Sequence, residues 1–381
     1  LKIAPDIYDI TVFGAEPHPN YNRILLSPVL AGEQTLDEIV LNPLSWYEEH
    51  GIKLHLGKKV VGVNRRSRIV QADDGTEAEY DRLLLATGSN PFIPPLPGKD
   101  LKGVIAYRDI KDTNEMIEAA KSYKHAVVVG GGLLGLEAAN GLMLRGMQVT
   151  VVHLAPWLME RQLDDVAGKL LQQSLGDEQG RVKAVQFKDG SEVPADLVVM
   201  AAGIRPNTEL ALKIGLNCAN DGRGGITVSD TMQTVTDARI YSVGECAAHR
   251  GIAYGLVAPL FEQGKVCATH LAEFGIGRYL GSQTSTKLKV TGIDLFSAGD
   301  FMGGEGTEQI VLSDPFGGVY KKLVLRDDKL IGACLYGDTA DGSWYFDLVR
   351  EGKNVAQIRE QLMFGEHHLG DTGHAGNSRA S

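Results

Sequence analysis

Short apolar runs, separated by polar stretches and glycine-rich turns, divide most of the chain into elements. Several runs are near-continuous Val, Leu and Ile, which is typical of parallel strands covered on both faces. Helix-like stretches lie between them, such as residues 113–122, where Asp112 and Glu115 have the spacing of a helix start. This alternation predicts crossover units in a doubly wound α/β sheet. The predicted strands are residues 10–13, 82–86, 126–129, 148–153, 197–201 and 239–243.

The pattern changes after Gly281. Two alternating strands at 320–324 and 330–335 flank a turn at Asp327-Asp328, and a helix-like stretch follows at 345–351. This arrangement predicts a separate small α+β domain near the end of the chain. The residues that follow are polar, small and aperiodic, which favours a linker or tail.

Composition and charge narrow the class of protein. With 381 residues, of which 43% are hydrophobic and 23% charged, the chain suits two or three folded domains. Its formal net charge of −10 argues against nucleic-acid binding, which needs clustered Lys and Arg, and the short basic cluster at 65–68 is predicted to be a solvated turn. The sequence lacks an apolar run of the ~18 residues that span a bilayer and the blocks of a signal peptide. We therefore expect a cytoplasmic protein with no membrane partner.

The four cysteines are too scattered for a disulfide framework or for a Cys-x-x-Cys metal or redox motif. The sequence therefore predicts buried thiols and no metal site. These cysteines are Cys218, Cys246, Cys267 and Cys334.

A glycine-rich turn follows the strand predicted at 126–129. Gly130 allows a tight turn, Gly132 lets the backbone approach a pyrophosphate at the helix N-terminus, and Gly135 permits close packing of helix on strand. A helix-forming series follows the turn, and a second strand is predicted at 148–153. This context predicts a dinucleotide-binding turn.

The end of that second strand discriminates NADH from NADPH. An Asp or Glu about 20 residues after the turn would bind the ribose 2′-hydroxyl of NAD, and this sequence has His153 instead. An imidazole does not repel a 2′-phosphate as a carboxylate would, and Arg161 is near enough in sequence to assist. The choice between NADH and NADPH stays open, with a slight preference for NADH.

Two further segments end strands in turns of small residues. One, at 80–89, contains Ala86-Thr87-Gly88, and the other, at 196–207, contains Gly203. These paired segments resemble the two linking strands of the pyridine-nucleotide-dependent flavoprotein reductases, which return the chain from one nucleotide domain to the other. The resemblance implies two doubly wound dinucleotide-binding domains of the glutathione reductase type, one for FAD and one for NAD(P)H.

A third segment, at 234–245, extends the resemblance. In that family an Asp closing this strand hydrogen-bonds the FAD ribityl chain, and Glu245 can accept the same bond. Glu16, at the end of the strand predicted at 10–13, is the implied ligand of the FAD adenosine ribose. Residues 255–259 open a helix whose N-terminal amides suit the negative charge of a reduced flavin. The first strand and glycine turn expected of an FAD domain are missing from this numbering.

Residues 20–28 distinguish branches of the family. Disulfide reductases place a Cys pair near the flavin, and related peroxidases and coenzyme A disulfide reductases place one Cys after a Ser in this region. The present chain has Pro28 there. Without that thiolate, a charge-transfer Cys, a sulfenic acid or a disulfide relay has no carrier.

The longest resemblance is to the flavoprotein part of the assimilatory NAD(P)H nitrite reductase large subunit. It rests on residues 18–23, 157–164, 244–246 and 286–294 and covers nearly the whole chain. It implies that hydride passes from NAD(P)H to FAD and that electrons then pass singly through iron–sulfur centres to a siroheme, which reduces nitrite to ammonia. The chain has no clustered cysteines for those centres. We therefore expect an electron-input module that acts with downstream redox domains or a small subunit, with homodimerisation left open.

Flavin reduction depends on positioning the nicotinamide more than on side-chain acid–base chemistry. Glu137, one turn into the nucleotide helix, is the candidate for orienting the carboxamide; the alternative is a helix-face carboxylate paired with Lys or Arg. By resemblance, Tyr21 and Arg23 contact FAD, and the alternative for each is surface packing. The residues assigned to cofactor binding are Glu16, Tyr21, Arg23, Val60, Ala86, Thr87, Gly88, Gly130, Gly132, Leu133, Leu134, Gly135, His153, Gly203, Gly244, Glu245 and Val257.

Two other functions stay open. An NAD(P)H-dependent rubredoxin or ferredoxin reductase would perform the same half reaction with a diffusing acceptor. A flavin redox-sensing binding protein, whose reduced flavin promotes dimerisation, would turn over slowly with every acceptor. The predicted domains are an FAD-binding domain at 1–108 and 224–280, an NAD(P)H-binding domain at 109–223, a small α+β domain at 281–350, and a helix with a linker or tail at 351–381.

Overall fold

A computed structural model describes residues 1, 4–95, 99–153, 155–174, 193, 195–275, 277–290 and 292–369. The chain divides into two compact units. Unit 1 comprises Leu1–Ala126, Gly141–Gln148 and Ala195–Ser282. Unit 2 comprises Val127–Asn140, Val149–Pro194 and Gln283–Ser381. Within the described ranges, no helix has both the length and the apolar character needed to cross a membrane.

Strands and helices are numbered along the chain. The strands are β1 (Thr11–Gly14), β2 (Lys53–Leu56), β3 (Val60–Asn64), β4 (Ile69–Ala72), β5 (Glu77–Glu79), β6 (Leu83–Leu85), β7 (Ser89–Pro91), β8 (Val104–Ala106), β9 (His125–Val129), β10 (Gln148–Val152), β11 (Leu197–Met200), β12 (Ile204–Pro206), β13 (Cys218–Ala219), β14 (Gly225–Val228), β15 (Ile240–Ser242), β16 (Ala247–His249), β17 (Ser285–Val290), β18 (Ile293–Gly299), β19 (Glu308–Asp314), β20 (Val319–Arg326) and β21 (Lys329–Tyr336). The α-helices are α1 (Leu26–Ala31), α2 (Leu44–Glu49), α3 (Ile110–Ser122), α4 (Leu133–Leu144), α5 (Asp165–Ser174), α6 (Glu209–Lys213), α7 (Val257–Leu271) and α8 (Gly342–Glu351). Short 3-10 turns cover Arg23–Leu25, Asp37–Ile39, Asn220–Gly222, Ala356–Ile358 and Leu362–Phe364.

Unit 1 combines parallel pairs with antiparallel ribbons. Strand β1 pairs with β2, β6 with β15, and β8 with β11, each in parallel, so that strands far apart in sequence become neighbours. Strands β3, β4 and β5 form an antiparallel sheet. Leu85 of β6, Ile226 of β14 and Ile240 of β15 share one buried core. Parallel neighbours joined by long crossovers are the pattern expected of a doubly wound fold.

The second half of unit 2 is an antiparallel sheet with a helix on it. Its five strands lie in the order β17-β18-β21-β20-β19. Helix α8 buries Tyr345 among apolar residues of the sheet, and the Tyr345 hydroxyl donates to the backbone oxygen of Leu362 at 2.8 Å. Asp327 and Asp328 join β20 to β21 with φ angles of 51° and 56°, which suit a tight hairpin turn. The predicted hairpin and helix are confirmed.

A buried ionic cluster in unit 2 joins the segment before α5 to the antiparallel sheet. The Asp164 carboxylate accepts from the Tyr320 hydroxyl at 2.8 Å and lies 3.2 Å from the Lys322 ammonium. The Asp164 and Lys322 side chains are only 3% and 9% exposed. Leu163 and Leu295 pack in the apolar core around them. This core therefore holds residues separated by more than a hundred positions in sequence.

The six strands predicted between residues 10 and 243 are confirmed, with ends that shift by a residue at most sites. The predicted start of the helix at 113–122 is wrong. Helix α3 begins at Ile110, and the Asp109 side chain caps it by accepting from the Asp112 backbone amide at 2.9 Å. The basic cluster at 65–68 does form a turn between β3 and β4. Residues 370–381 of the predicted tail lie outside the described residues.

Candidate functional site

The glycine turn of unit 2 has the backbone shape that its sequence predicts. Strand β9 ends at Val129, and Gly130 follows with a φ of 127°, a conformation that favours glycine. The Gly130 amide donates to the Val152 oxygen at the end of β10, at 2.8 Å. A Cβ atom added to Gly132 would meet no atom within 4 Å, so open space lies beside its backbone. A ligand could approach the main chain closely at that point.

Gly131, by contrast, is closely packed. Its amide donates to Nδ1 of His153 at 3.0 Å, and a Cβ there would lie 2.5 Å from Leu158 and 2.7 Å from the His153 ring. Nε2 of His153 lies 2.8 Å from the Trp157 oxygen. His153 therefore fastens the glycine turn to the loop after β10. Gly131, to which the motif gives no role in binding, is thus packed against the loop, whereas Gly132, which the motif assigns to the pyrophosphate, has open space beside it.

Three predicted cofactor residues meet at the end of β1 in unit 1. The Asn22 side chain accepts from the Ile24 amide at 3.2 Å and so caps the 3-10 turn that presents Arg23. The Arg23 guanidinium donates to one oxygen of the Glu16 carboxylate at 2.5 Å, and the Tyr21 hydroxyl donates to the other at 2.6 Å. Burial, and then this hydrogen bond to Glu16, raise the pKa of Tyr21 above its ordinary value. These two donors hold the Glu16 carboxylate in place.

A cavity of about 750 Å³ opens beside Glu16. Its walls include His18 and, from the start of α3, Asp109 and Ile110. The volume falls within the range of sites for small molecules and cofactors. Glu16 therefore lies where a carboxylate could contact a ligand.

Arg108 connects Arg23, which binds Glu16, to Glu245. The Arg23 guanidinium donates to the Arg108 backbone oxygen at 2.9 Å, and the Arg108 side chain forms an ion pair with Glu245. The Ser89 hydroxyl donates to the same Glu245 oxygen at 2.8 Å. Sequence reasoning missed Arg108, which lies in no recognisable motif, and gave no role to Ser89, although it closes the linking segment at 80–89.

The two linking segments pair with each other in unit 1. Strand β7 runs antiparallel to β12, the Phe92 amide donates to the Gly203 oxygen at 2.8 Å, and the Thr87 hydroxyl donates to the Asn207 oxygen at 2.7 Å. Ala86 and Thr87 are exposed at the end of β6. Gly88 has a φ of 65°, and a Cβ on it would lie 4.0 Å from the Glu245 carboxylate. Gly88 therefore lies beside Glu245, and the pairing of the two segments places Gly203 next to Phe92.

Helix α7 supports the turn that carries Glu245. The fully buried Gln263 accepts from the Gly244 amide at 2.9 Å. Gly244 has a φ of 88° and open space where a Cβ would lie. Val257, the first residue of α7, is 39% exposed. The open backbone of Gly244 lets a ligand approach the turn that carries Glu245.

Residues 2–270 match the family model described as pyridine nucleotide-disulphide oxidoreductase, and residues 285–353 match the rubredoxin NAD+ reductase C-terminal domain. The chain belongs to the pyridine nucleotide-disulphide oxidoreductase family. Membership confirms the predicted fold class and oxidoreductase class, together with the predicted cofactors FAD and NAD(P)H.

This oxidoreductase is similar to curated proteins over part of their length. A nitrite reductase [NAD(P)H] of Bacillus subtilis (strain 168) is 50% identical over 373 residues, which are 94% of this chain and 46% of the relative. An assimilatory nitrate reductase electron transfer subunit of the same organism is 44% identical over 378 residues, 95% of this chain and 48% of the relative. The chain therefore spans about half the length of these relatives. The resemblance to the nitrite reductase flavoprotein is confirmed.

Among solved structures, an NADH:rubredoxin oxidoreductase from Clostridium acetobutylicum is similar to this chain. It has a TM-score of 0.78 and 25% sequence identity, and the match covers 92% of this chain and 90% of that one. The two-nucleotide architecture expected of the family is thus found along almost the whole length.

The contacts of the remaining predicted site residues do not indicate a ligand. Glu137 and Leu134 lie half-buried in α4, and Leu133 begins that helix. Gly135, the third residue of that helix, is buried. Val60 begins β3 opposite Ala72. Their assignments to the cofactors of this oxidoreductase stay predictions.

Three of the four thiols are buried as predicted, but Cys218 is only half-buried. Burial raises the pKa of the Cys267 thiol to about 12, so that this group stays protonated at neutral pH. Across the described residues, no group of three or more His, Cys, Asp or Glu side chains could hold a metal ion.

Asp112, next to this site, should make stability depend on pH. Burial, and then the charge of Asp109, raise the pKa of Asp112 to about 6. An acid whose folded-state pKa is raised binds protons more readily when folded, so the free energy of unfolding falls as pH rises from about 4 to about 6. Asp112→Asn lacks this titration but keeps an acceptor for the Arg108 amide. We expect its stability relative to the wild type to increase across that pH interval and to level off above pH ~7.

Urea unfolding of both proteins at several pH values measures this difference. A difference that stays constant from pH 4 to pH 7 would contradict the raised pKa of Asp112.

Proposed function

We propose that this chain is the electron-input part of an assimilatory NAD(P)H nitrite reductase. In this reading it oxidises NAD(P)H with bound FAD and passes electrons to iron–sulfur and siroheme centres carried by other domains or by a small subunit. The observation that carries the proposal is the 50% identity, over 94% of the chain, to one half of a nitrite reductase. More than half of that relative lies outside the match.

The described residues fit both nucleotides. In unit 1, the Glu16 carboxylate and the Arg23 guanidinium would hold the adenosine and phosphate part of FAD, and Glu245, on the turn that Gln263 supports, would hold its polar chain. In unit 2, the open backbone of Gly132 would receive the pyrophosphate of NAD(P)H. Bound FAD would supply the redox chemistry, since it takes up two electrons as a hydride and can release them singly. The protein contributes binding, orientation and charge.

A second function is favoured by the match at 285–353 to the rubredoxin NAD+ reductase C-terminal domain. Under this alternative the same electron input would serve a separate, diffusing iron–sulfur protein. The electron transfer subunit that is 44% identical to this chain is compatible with either arrangement. A flavin redox sensor would differ from both in its slow turnover.

Anaerobic mixing of the FAD-loaded chain with NADH or NADPH tests the proposal. We expect loss of the oxidised-flavin absorbance at a rate on the order of 1–10³ s⁻¹ with at least one nucleotide. The reduced protein should then reduce ferricyanide and should leave nitrite unchanged. Stopped-flow absorbance and a nitrite assay measure these outcomes, and Glu245→Ala provides a flavin-poor control.

Very slow flavin reduction with both nucleotides would show that electron input is not the function. Rapid reduction of an added rubredoxin, at a rate near that of ferricyanide, would favour the second function. We further propose that the protein acts in the cytoplasm. Homodimerisation stays a prediction that light scattering can check.

A further inference from the structure

The end of β10 carries the chemistry that distinguishes NADH from NADPH. In dinucleotide-binding folds an acid at this strand end binds the ribose 2′-hydroxyl, and this chain has His153 in that place. A histidine could favour a 2′-phosphate only if it offered a free donor or a positive charge. What surrounds its two nitrogens therefore decides its effect on the ligand.

Both nitrogens of His153 are engaged by the protein. The Gly131 amide can only donate, so Nδ1 accepts its hydrogen bond at 3.0 Å, and the ring proton must lie on Nε2. The Nε2 atom then donates to the Trp157 oxygen at 2.8 Å. This side chain is 12% exposed. Both ring nitrogens of His153 are thus bound by the protein, so it offers no free donor to a phosphate.

A carboxylate lies directly beside this histidine. An oxygen of Glu160 is 3.4 Å from Nε2 of His153, and the Glu160 side chain is 37% exposed, so one face of it meets solvent. Glu160 comes seven positions after His153 and is brought back by the loop that the His153 hydrogen bonds fasten. The sequence has no acid at the end of β10, but the fold brings the Glu160 carboxylate to that position.

We propose that Glu160 selects NADH over NADPH. This inference rests on the proposed function and assigns the nucleotide to it. An exposed carboxylate at this position can accept from a ribose 2′-hydroxyl, as the strand-end acid does in other dinucleotide folds. It repels the two negative charges of a 2′-phosphate. Arg161, the next residue, is exposed and is not among the residues that contact His153.

Binding of two non-reducible fragments to the whole chain tests the inference without relying on turnover. The probes are ADP-ribose and 2′-phospho-ADP-ribose, each titrated by calorimetry. We expect the wild type to bind ADP-ribose at least tenfold more tightly. Glu160→Gln should bring the two affinities to within about threefold, and Glu160→Lys should reverse the preference. Arg161→Gln, the matched neighbour, should leave the wild-type preference unchanged.

The outcomes separate this inference from the proposed function. Binding of neither probe by the wild type would count against a nucleotide site, and hence against the proposed function. Equal or tighter binding of the phosphorylated probe would overturn the role of Glu160 while leaving electron input intact. A preference that shifts with Arg161→Gln but not with Glu160→Gln would also overturn it. Steady-state kcat/KM ratios for NADH and NADPH should follow the same order in each variant.

Discussion

Gly132→Ala is expected to leave the stability of the chain unchanged and to weaken its binding of ADP-ribose at least tenfold, about 1.4 kcal/mol. The neighbouring change Gly131→Ala should instead lower the stability of the protein even without a ligand. An added methyl group at Gly132 meets no atom within 4 Å, so nothing in the unliganded protein resists it. It would, however, fill the space through which a pyrophosphate reaches the turn. At Gly131 the methyl group would overlap Leu158 and His153.

Overlap of that kind typically costs about 1–3 kcal/mol in stability, because a packed neighbour must shift. Thermal unfolding of the two variants, together with ADP-ribose titration, separates these effects. Equal loss of stability in both variants would contradict the difference in packing. Full retention of ADP-ribose binding by Gly132→Ala would show that the ligand does not approach the turn there.

The buried ion pair of unit 2 gives the second large effect. Asp164→Asn is expected to lower the free energy of unfolding by about 3–5 kcal/mol, because it removes the negative charge that lies against the buried Lys322 ammonium. The asparagine keeps an oxygen that can accept from the Ala167 amide, as Asp164 does at 3.0 Å, so loss of the helix cap does not explain the result. Denaturant unfolding measures the change.

Two controls define the cause. The double variant Asp164→Asn with Lys322→Met removes both charges and should recover most of the lost stability. Asp165→Asn, one residue away, breaks an exposed ion pair with Lys169 and should cost less than about 1 kcal/mol. If the double variant were as unstable as the single one, an unpaired buried charge would not be the cause.

Local requirements explain what could be predicted from the sequence. A tight turn between strand and helix needs glycine at fixed positions, so Gly130 and its neighbours identified the nucleotide turn without any tertiary information. The hairpin at Asp327 and Asp328 was equally predictable. The start of α3 was misplaced because Asp109 and Asp112 are both good capping residues, and only the backbone geometry shows which one caps.

Long-range contacts could not be predicted in this way. Arg108 and its partner Glu245 are 137 positions apart, and Asp164 and Tyr320 are 156 apart. Periodicity reports which face of an element is buried, but it carries no information on which distant side chain lies opposite. Glu160 illustrates the same limit, since the sequence places it in a loop and the structure places it beside His153.

The antiparallel pairing of β7 with β12 also determines where the segment between them could be replaced by that of another protein. The bond from the Phe92 amide to the Gly203 oxygen holds the two ends of the intervening segment together, as the termini of an inserted domain are held. Residues 92–203 therefore leave and re-enter the ribbon at neighbouring points, so closing this long loop costs little further entropy once the ribbon has formed. A nucleotide module of different coenzyme preference grafted at these two positions would have to keep Arg108, which pairs with Glu245, and the start of α3, which lines the cavity beside Glu16.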